Sequence, residues 1–264
     1  RAAGLDRLDA PLLLGHVLGR DRSWLLAHDD EALSAAPLAS FEALVARRRA
    51  GEPVAYLVGE KEFHGLMLQV DRHVLVPRPE TEVLVDWALE ELDAMPSGAA
   101  VADLGTGSGA IALAIAHARR DLRVCAVERS PEALALARHN GARLSLEVEW
   151  LQGDWWKPLA GRRLDLAVAN PPYINAADPH LRALACEPLA ALSPGPDGLA
   201  ALRAITLGAA AHLRPGGWLL LEHGHDQGDA VRELLQAAGL HDATTRTDLA
   251  GLPRCSGARC VSAA

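Results

Sequence analysis

Lysine is nearly absent from this chain: Lys61 and Lys157 are the only two among 26 basic residues, against 34 acidic ones, for a formal charge of −8 over 264 residues. A tight, sequence-blind nucleic-acid binder needs dense positive charge to displace counterions, so that class is disfavoured and no direct nucleic-acid contact is expected. The excess of arginine, with abundant Ala, Leu and Gly, reads as GC-rich coding bias. Phe, Tyr and Met occur twice each and only 4% of residues are aromatic, yet half are apolar. The core must therefore be mainly aliphatic, and the chain is too apolar for disorder. No run of about 18 uncharged apolar residues exists to span a bilayer, so no membrane association is expected. The first thirty residues carry charges throughout and lack a cleavage-type apolar segment. Cysteine is scarce: Cys125, Cys186, Cys255 and Cys260 form no CxxC pair and have no histidine cluster beside them. That argues against a zinc site, and no metal is expected. Cys255 and Cys260 would pair only if a hairpin joined them. Free thiols and a reduced, cytoplasmic protein are the expectation.

What is present divides into three stretches. Residues 1–58 read as a small helical domain. Leu5, Leu8, Leu12, Leu13 and Val17 form one apolar stripe, and Ser40 is a candidate N-cap for a helix ending at Arg47-Arg48-Arg49. Residues 59–78 read as a β-hairpin linker: Phe63, Leu66, Leu68, Val70, Val74 and Val76 lie in extended runs broken by His64-Gly65 and Asp71-Arg72. Pro77 and Pro79 stiffen the backbone around Arg78, either to aim that side chain or as a plain linker. From 79 to 264 strands alternate with helices, among them strand 101–104, helix 111–118, strand 122–127, helix 131–138 capped by Ser130, and strand 164–169. This pattern implies parallel crossovers and a doubly wound, mostly parallel α/β sheet. No internal repeat is found.

Two motifs carry chemistry. The strand ending at Asp103-Leu104 runs into Gly105-Thr106-Gly107-Ser108-Gly109 and then a helix, and the next strand ends at Glu128. Glycines there permit a sharp turn and close ligand approach, and an acid at that place accepts hydrogen bonds from ribose hydroxyls. No GxxxxGK[ST] is present, which excludes a P-loop. NAD remains open, but an acid opening the loop suits S-adenosylmethionine better, since that ligand has an ammonium and no pyrophosphate. Asp103 would serve the ammonium, or else cap the loop.

The second motif is Asn170-Pro171-Pro172-Tyr173, which closes the strand 165–169 and should face the same crevice. Asn170 offers a side-chain carbonyl, the prolines offer carbonyls without competing amide hydrogens, and Tyr173 offers a flat face. A planar NH2 group fits: one hydrogen goes to Asn170 and one to the Pro171 carbonyl, with the nitrogen in line with the sulfonium methyl. The pair of motifs points to methyl transfer onto an amino or amide nitrogen. An adenine-N6 methyltransferase on RNA or DNA uses the same device, but charge weighs against it. A binding module without catalysis conflicts with two intact motifs.

With "PVAYLVGEKEFHGLMLQV", "VLVPRPETE", "DLGTGSGAIALAIA", "GDWW", "NPPYI", "EPLAAL", "GPDGL", "LRPGGWLLLEHG" and "DLAGLPR", nearly the whole chain resembles the release-factor glutamine methyltransferase family (PrmC/HemK). The resemblance implies a Rossmann-like, S-adenosylmethionine-dependent protein-glutamine N5-methyltransferase. Its partners would be class I peptide chain release factors, methylated at the Gln of a Gly-Gly-Gln loop; a ribosomal protein is the alternative substrate, and a monomer is expected. It carries cofactor contacts onto Gly105 to Gly109, Glu128, Trp155 and Asn170, with Asp154 a partner for the adenine amino group and Trp156 the substitute if the alignment slips by one. The glutamine site falls on Asn170 to Tyr173; Arg78, Glu80, Thr81 and Glu187 fall near it. Leu252-Pro253 stand where the family commonly has Asn-Asp, and His64 where Trp or Tyr is frequent. His64 is expected to pack and Arg254 to form a tail salt bridge.

Overall fold

The computed structural model describes residues 5–261; the outermost residues of the expected ranges, 1–4 and 262–264, lie outside them. Four helices open the chain: α1 (Asp9–Leu18), α2 (Arg22–Ala27), α3 (Ala35–Arg49) and α4 (Val54–Val58). The apolar stripe on α1 is only partly buried. Leu13 is fully covered, but Leu8 and Leu12 are more than half exposed. The stripe is wider than the small helical unit can cover. Ser40 is not an N-cap, because α3 starts five residues earlier, after Ser34. Pro37 sits in the first turn of α3, where its missing N–H costs nothing. Arg47 pairs with Glu52 and Arg48 with Asp9, closing the helix end.

The hairpin is β1 (Glu60–Phe63) and β2 (Leu66–Gln69), antiparallel in the register Phe63↔Leu66. His64 (φ 48°) and Gly65 (φ 77°) make the turn, both in the left-handed region that a type I′ hairpin requires. Val74 and Val76 belong to the extended runs expected of the linker. They are instead buried side chains of an unpaired loop. A 3₁₀ turn at Pro79–Thr81 then leads into α5 (Glu82–Asp93).

The remainder alternates as expected: β3 (Ala100–Leu104), α6 (Ala110–Ala118), β4 (Arg123–Glu128), α7 (Pro131–Leu144), β5 (Glu149–Gln152), β6 (Leu164–Ala169), the short α8 (Leu189–Leu192), α9 (Ala200–His212), β7 (Leu213–Glu222), α10 (Gly228–Ala237), β8 (Leu240–Thr247) and β9 (Pro253–Cys260). Ser130 caps α7 by accepting from Ala133 N at 3.2 Å. The helix continues past Arg138 because Gly141, no breaker here, packs against Trp150; a Cβ on it would lie 2.9 Å from that ring.

Seven strands form one sheet in the order β5-β4-β3-β6-β7-β9-β8, parallel from β5 through β7, with β9 and β8 antiparallel at one edge. Successive strand residues face opposite sides. Val101, Val124, Leu166 and Leu220 meet α5 and α6, while Ala102, Cys125, Ala167 and Leu221 belong to the core with α9 and α10. Each fully buried leucine in these layers contributes about 1.5–3 kcal/mol. Cys255 and Cys260 share β9 rather than facing each other across a hairpin, and all four thiols are free. The chain reverses winding direction between β3 and β6. That leaves a crevice at the carboxyl ends of those two strands, where doubly wound sheets bind ligands.

Candidate active site

A cavity of about 730 Å³ fills that crevice. Its size falls in the ordinary range for small-molecule sites. Gly105, Thr106, Gly107 and Ser108 line it from the loop after β3, Glu128 from β4, Asp154 and Trp155 from the segment after β5, and Asn170 and Pro172 from the turn after β6. The linker adds Arg78 and Thr81. Pro171, Tyr173, Glu80, Gly109 and Asp103 do not line it.

The loop is fixed through its own backbone. The N–H groups of Gly105 and Thr106 donate to Val127 O at 2.8 and 3.0 Å. Gly107 N donates to Glu128 Oε2 at 3.0 Å, and Ser130 N to Glu128 Oε1 at 2.9 Å. Each Glu128 oxygen keeps a lone pair for a ligand hydroxyl. Gly105 has φ 79°, a conformation that disfavours a side chain. Gly109 starts α6 and packs on Leu113 and Trp150.

Asp103 lies beneath the loop. Its Oδ2 accepts from Thr106 Oγ1 at 2.5 Å and Ala112 N at 3.2 Å, while Oδ1 is buried without a partner among the described residues. Burial lifts its carboxyl to about 7, against the Thr106 and Ala112 hydrogen bonds that pull it down. Of the two roles weighed for Asp103, the loop cap is the one with hydrogen bonds in place. Asn140 braces the loop from the other side: its Nδ2 donates to Ser108 O (2.9 Å) and Gln69 O (3.0 Å), and its Oδ1 accepts from Gln69 N at 2.8 Å. One buried amide thus joins the hairpin to the glycine loop.

Trp155 and Trp156 separate cleanly. Trp155 takes a left-handed backbone conformation (φ 47°) that sets its ring over Gly105 at the cavity wall. Asp154 beside it holds Lys157 at 2.9 Å. Trp156 is a core residue, donating to Ile205 O at 2.9 Å and stacking on His212 at 4.8 Å.

At the turn after β6, Asn170 Nδ2 donates to Thr81 Oγ1 at 3.1 Å. With the amide nitrogen engaged there, the acceptor Oδ1 remains for a ligand. Tyr173 donates through its hydroxyl to Glu222 Oε1 at 3.1 Å. Burial and the Glu222 charge both push the phenol above its ordinary range, so it remains a donor. Tyr173, expected to offer its face to a substrate, does not line the cavity, and its ring packs with the core on the α9 and α10 side. Glu222 ends β7 and is fully buried, and burial lifts its carboxyl to about 7, against the hydrogen bond from Tyr173 that lowers it.

Arg78 pairs with Glu187, whose other oxygen accepts from Val76 N at 3.0 Å. The ion pair ties the linker to the segment before α8. Glu80 is exposed and does not line the cavity. His64 occupies the hairpin turn and contacts Asp86 at 3.0 Å. Arg254 bridges Asp248 at 3.1 Å, as expected. Sequence reasoning overlooked Glu222 and Asn140. The signal for Glu222 was an acid closing the apolar strand Leu219-Leu220-Leu221 at the carboxyl edge of the sheet; Asn140, in mid-helix, gave none.

Residues 1–59 match the family described as PrmC N-terminal domain, and residues 81–190 that described as methyltransferase small domain. The fold is similar to that of a methyltransferase from Pyrococcus furiosus, with a TM-score of 0.57 at 17% identity over 82% of this chain and all of that one. The release factor glutamine methyltransferase of Burkholderia pseudomallei is 51% identical over 98% of this chain and 94% of its own length. That of Escherichia coli is 44% identical over 94% of this chain and 90% of its own. At such identity over nearly its whole length, the chain belongs to the family of release factor glutamine methyltransferases.

Proposed function

We propose that this chain methylates the side-chain amide nitrogen of the glutamine in the Gly-Gly-Gln loop of class I peptide chain release factors, with S-adenosylmethionine as the donor. The carrying observation is the Asn170–Thr81 contact at 3.1 Å, which leaves the Asn170 carbonyl to accept from a substrate NH2 beside the cavity. Family membership supplies the substrate class.

The residues present fit the cofactor. Gly105 to Ser108 form a wall that admits close approach, Glu128 has lone pairs for ribose hydroxyls, and Trp155 with Asp154 offers a flat apolar face beside an acceptor for adenine. The unpartnered Oδ1 of Asp103 favours a nearby cation over an anion. When bound, S-adenosylmethionine supplies a methyl group made electrophilic by a sulfonium.

Everything else falls to the chain. Asn170 Oδ1 takes one amide hydrogen of the substrate glutamine and the Pro171 carbonyl the other. Two acceptors oppose delocalisation of the nitrogen lone pair and stabilise the positive charge that develops on nitrogen. Holding the nitrogen in place supplies much of the remaining acceleration. No base is needed beforehand, since the proton leaves after transfer. Residues 1–58 recognise the release factor, 59–78 link, and 79–264 carry the chemistry. The enzyme acts as a cytoplasmic monomer.

Tritiated S-adenosylmethionine with purified release factor tests this. Label should enter wild-type factor and be absent from a factor whose Gly-Gly-Gln glutamine is alanine. Label on the altered factor defeats the assignment.

A further inference from the structure

Asn140 is 1% exposed within α7, and its whole carboxamide is committed to other segments. Oδ1 accepts from Gln69 N at 2.8 Å, and Nδ2 donates to Gln69 O at 3.0 Å and to Ser108 O at 2.9 Å. One N–H and two carbonyls surround it, so a single orientation of the amide satisfies all three. Along an antiparallel strand the backbone groups point alternately toward the partner and away from it. Val70 N points inward, to Gly59 O at 3.1 Å, so the groups of Gln69 turn away from β1, and Asn140 meets both as a third strand would. Ser108 lines the cavity between Gly107 (φ 56°) and Gly109 (φ 86°). The same NH2 therefore holds the end of β2 and the carbonyl of the glycine loop. Ala133 and Leu136, on the Asn140 side of α7, pack with Val70 and Val74 of the linker. Tyr56 of α4 joins that cluster, and its hydroxyl donates to Val74 O. These apolar contacts reach the linker; the amide reaches the linker and the loop together.

We propose that Asn140 is a positioning residue that couples docking of the linker hairpin on α7 to cofactor binding: with Gln69 in place, its NH2 holds Ser108 O, and with it the loop after β3, in the conformation that receives S-adenosylmethionine. This rests on the reading of residues 105–109 as the cofactor loop. Asn140 does not line the cavity, so it acts through Ser108. When the hairpin lifts away, the buried amide loses one donor and one acceptor, and the loop loses a brace whose orientation those two bonds had fixed. The coupling is reciprocal. A docked hairpin that tightens cofactor binding is itself held closed by the cofactor, by the same factor.

The test compares wild type with Asn140→Ala, Asn140→Asp, Leu136→Ala and Glu128→Ala. It measures Kd for S-adenosylhomocysteine by calorimetry, Tm, and amide hydrogen exchange of segment 66–70 with and without that ligand. Asn140→Asp keeps the size and the acceptor for Gln69 N but sets an oxygen against two carbonyls. Asn140→Ala and Asn140→Asp should each raise Kd about 10-fold. Leu136→Ala thins the apolar seat without touching the loop; it should lower Tm and leave Kd within about twofold, which separates positioning from general loss of stability. In wild type, saturating ligand should slow exchange of 66–70 about 10-fold, although the ligand does not touch that segment. At equal saturation, the effect in Asn140→Ala should fall below about twofold. If Asn140→Ala does not fold, Asn140→Asp and the wild-type exchange decide. A rise in Kd for Asn140→Ala no larger than for Leu136→Ala, or wild-type exchange of 66–70 that ignores the ligand, overturns the coupling. An unchanged Kd in Glu128→Ala overturns the reading of the loop as the cofactor site instead.

Discussion

The indole of Trp155 covers Gly105 so closely that a Cβ on the glycine would sit 2.9 Å from Cζ3 of the ring. One residue of the loop after β3 and one of the segment after β5 therefore define a single wall. Each can hold its place only while the other stays as it is.

Gly105→Ala should displace that ring and strain a backbone at φ 79°. We expect cofactor Kd to rise about tenfold or more, worth about 1.4 kcal/mol, with far-ultraviolet circular dichroism unchanged. Trp155→Ala should also weaken binding. The double variant should lose less than the two single losses combined, because the collision is then absent. Calorimetric titration with S-adenosylhomocysteine reads all three; strict additivity would place Trp155 away from the cofactor.

The Arg78–Glu187 pair should show an asymmetry. The Glu187 side chain is 2% exposed and that of Arg78 is 36% exposed. Arg78→Ala leaves a buried carboxylate with only Val76 N as donor. Glu187→Gln keeps that bond and leaves a cation with access to water. Thermal unfolding should therefore report a larger loss for Arg78→Ala, about 2–3 kcal/mol against about 1 kcal/mol. Equal losses would mean that the pair does not clasp the linker.

Asp103 should make stability depend on pH. Its carboxyl lies near 7 when folded and near 3.8 when unfolded, so the folded state holds the extra proton between those values. Stability contributed by this group is present below about pH 4 and is lost as pH rises through about 7. Asp103→Asn can keep both bonds at the Oδ2 position while removing the charge. The variant should melt above the parent at pH 8 and close to it at pH 4, and its cofactor Kd should rise. A variant that melts below the parent at pH 8 would show that the charged form is stabilised in the fold.

Cys186 is exposed, whereas Cys125, Cys255 and Cys260 are buried. Burial pushes the Cys125 thiol up to about 11 and that of Cys255 higher still. A disulfide reagent at pH 8 should modify one thiol quickly in native protein and four in denaturant. A second fast thiol would place one of the buried cysteines nearer the surface.

Much of this architecture was readable without coordinates. Period and punctuation located β3, α6, β4 and β6 to within a residue or so, because those segments are buried on both faces and bounded by glycine, proline or a capping serine. The loop at 105–109 and the turn at 170–173 declared themselves because their backbones admit few other residues. Placing them at one crevice needed only the rule that parallel strands present ligands at their carboxyl ends.

Other features depended on distance in three dimensions. The apolar stripe on α1 is legible as a face, yet Leu8 and Leu12 are exposed, since periodicity reports a face and not whether anything covers it. Trp155 and Trp156 are neighbours in sequence, and only the backbone at φ 47° sends one to the cavity and the other into the core. Glu222 lies 49 positions after Tyr173, whose hydroxyl it accepts, and no local pattern joins them. The sequence by itself determined the order of strands and helices and the identity of the two chemical motifs, because those follow from residue-by-residue backbone limits and burial. The tertiary structure alone decided that Asn170 meets Thr81 and that Tyr173 meets Glu222, because those contacts join residues far apart in the chain.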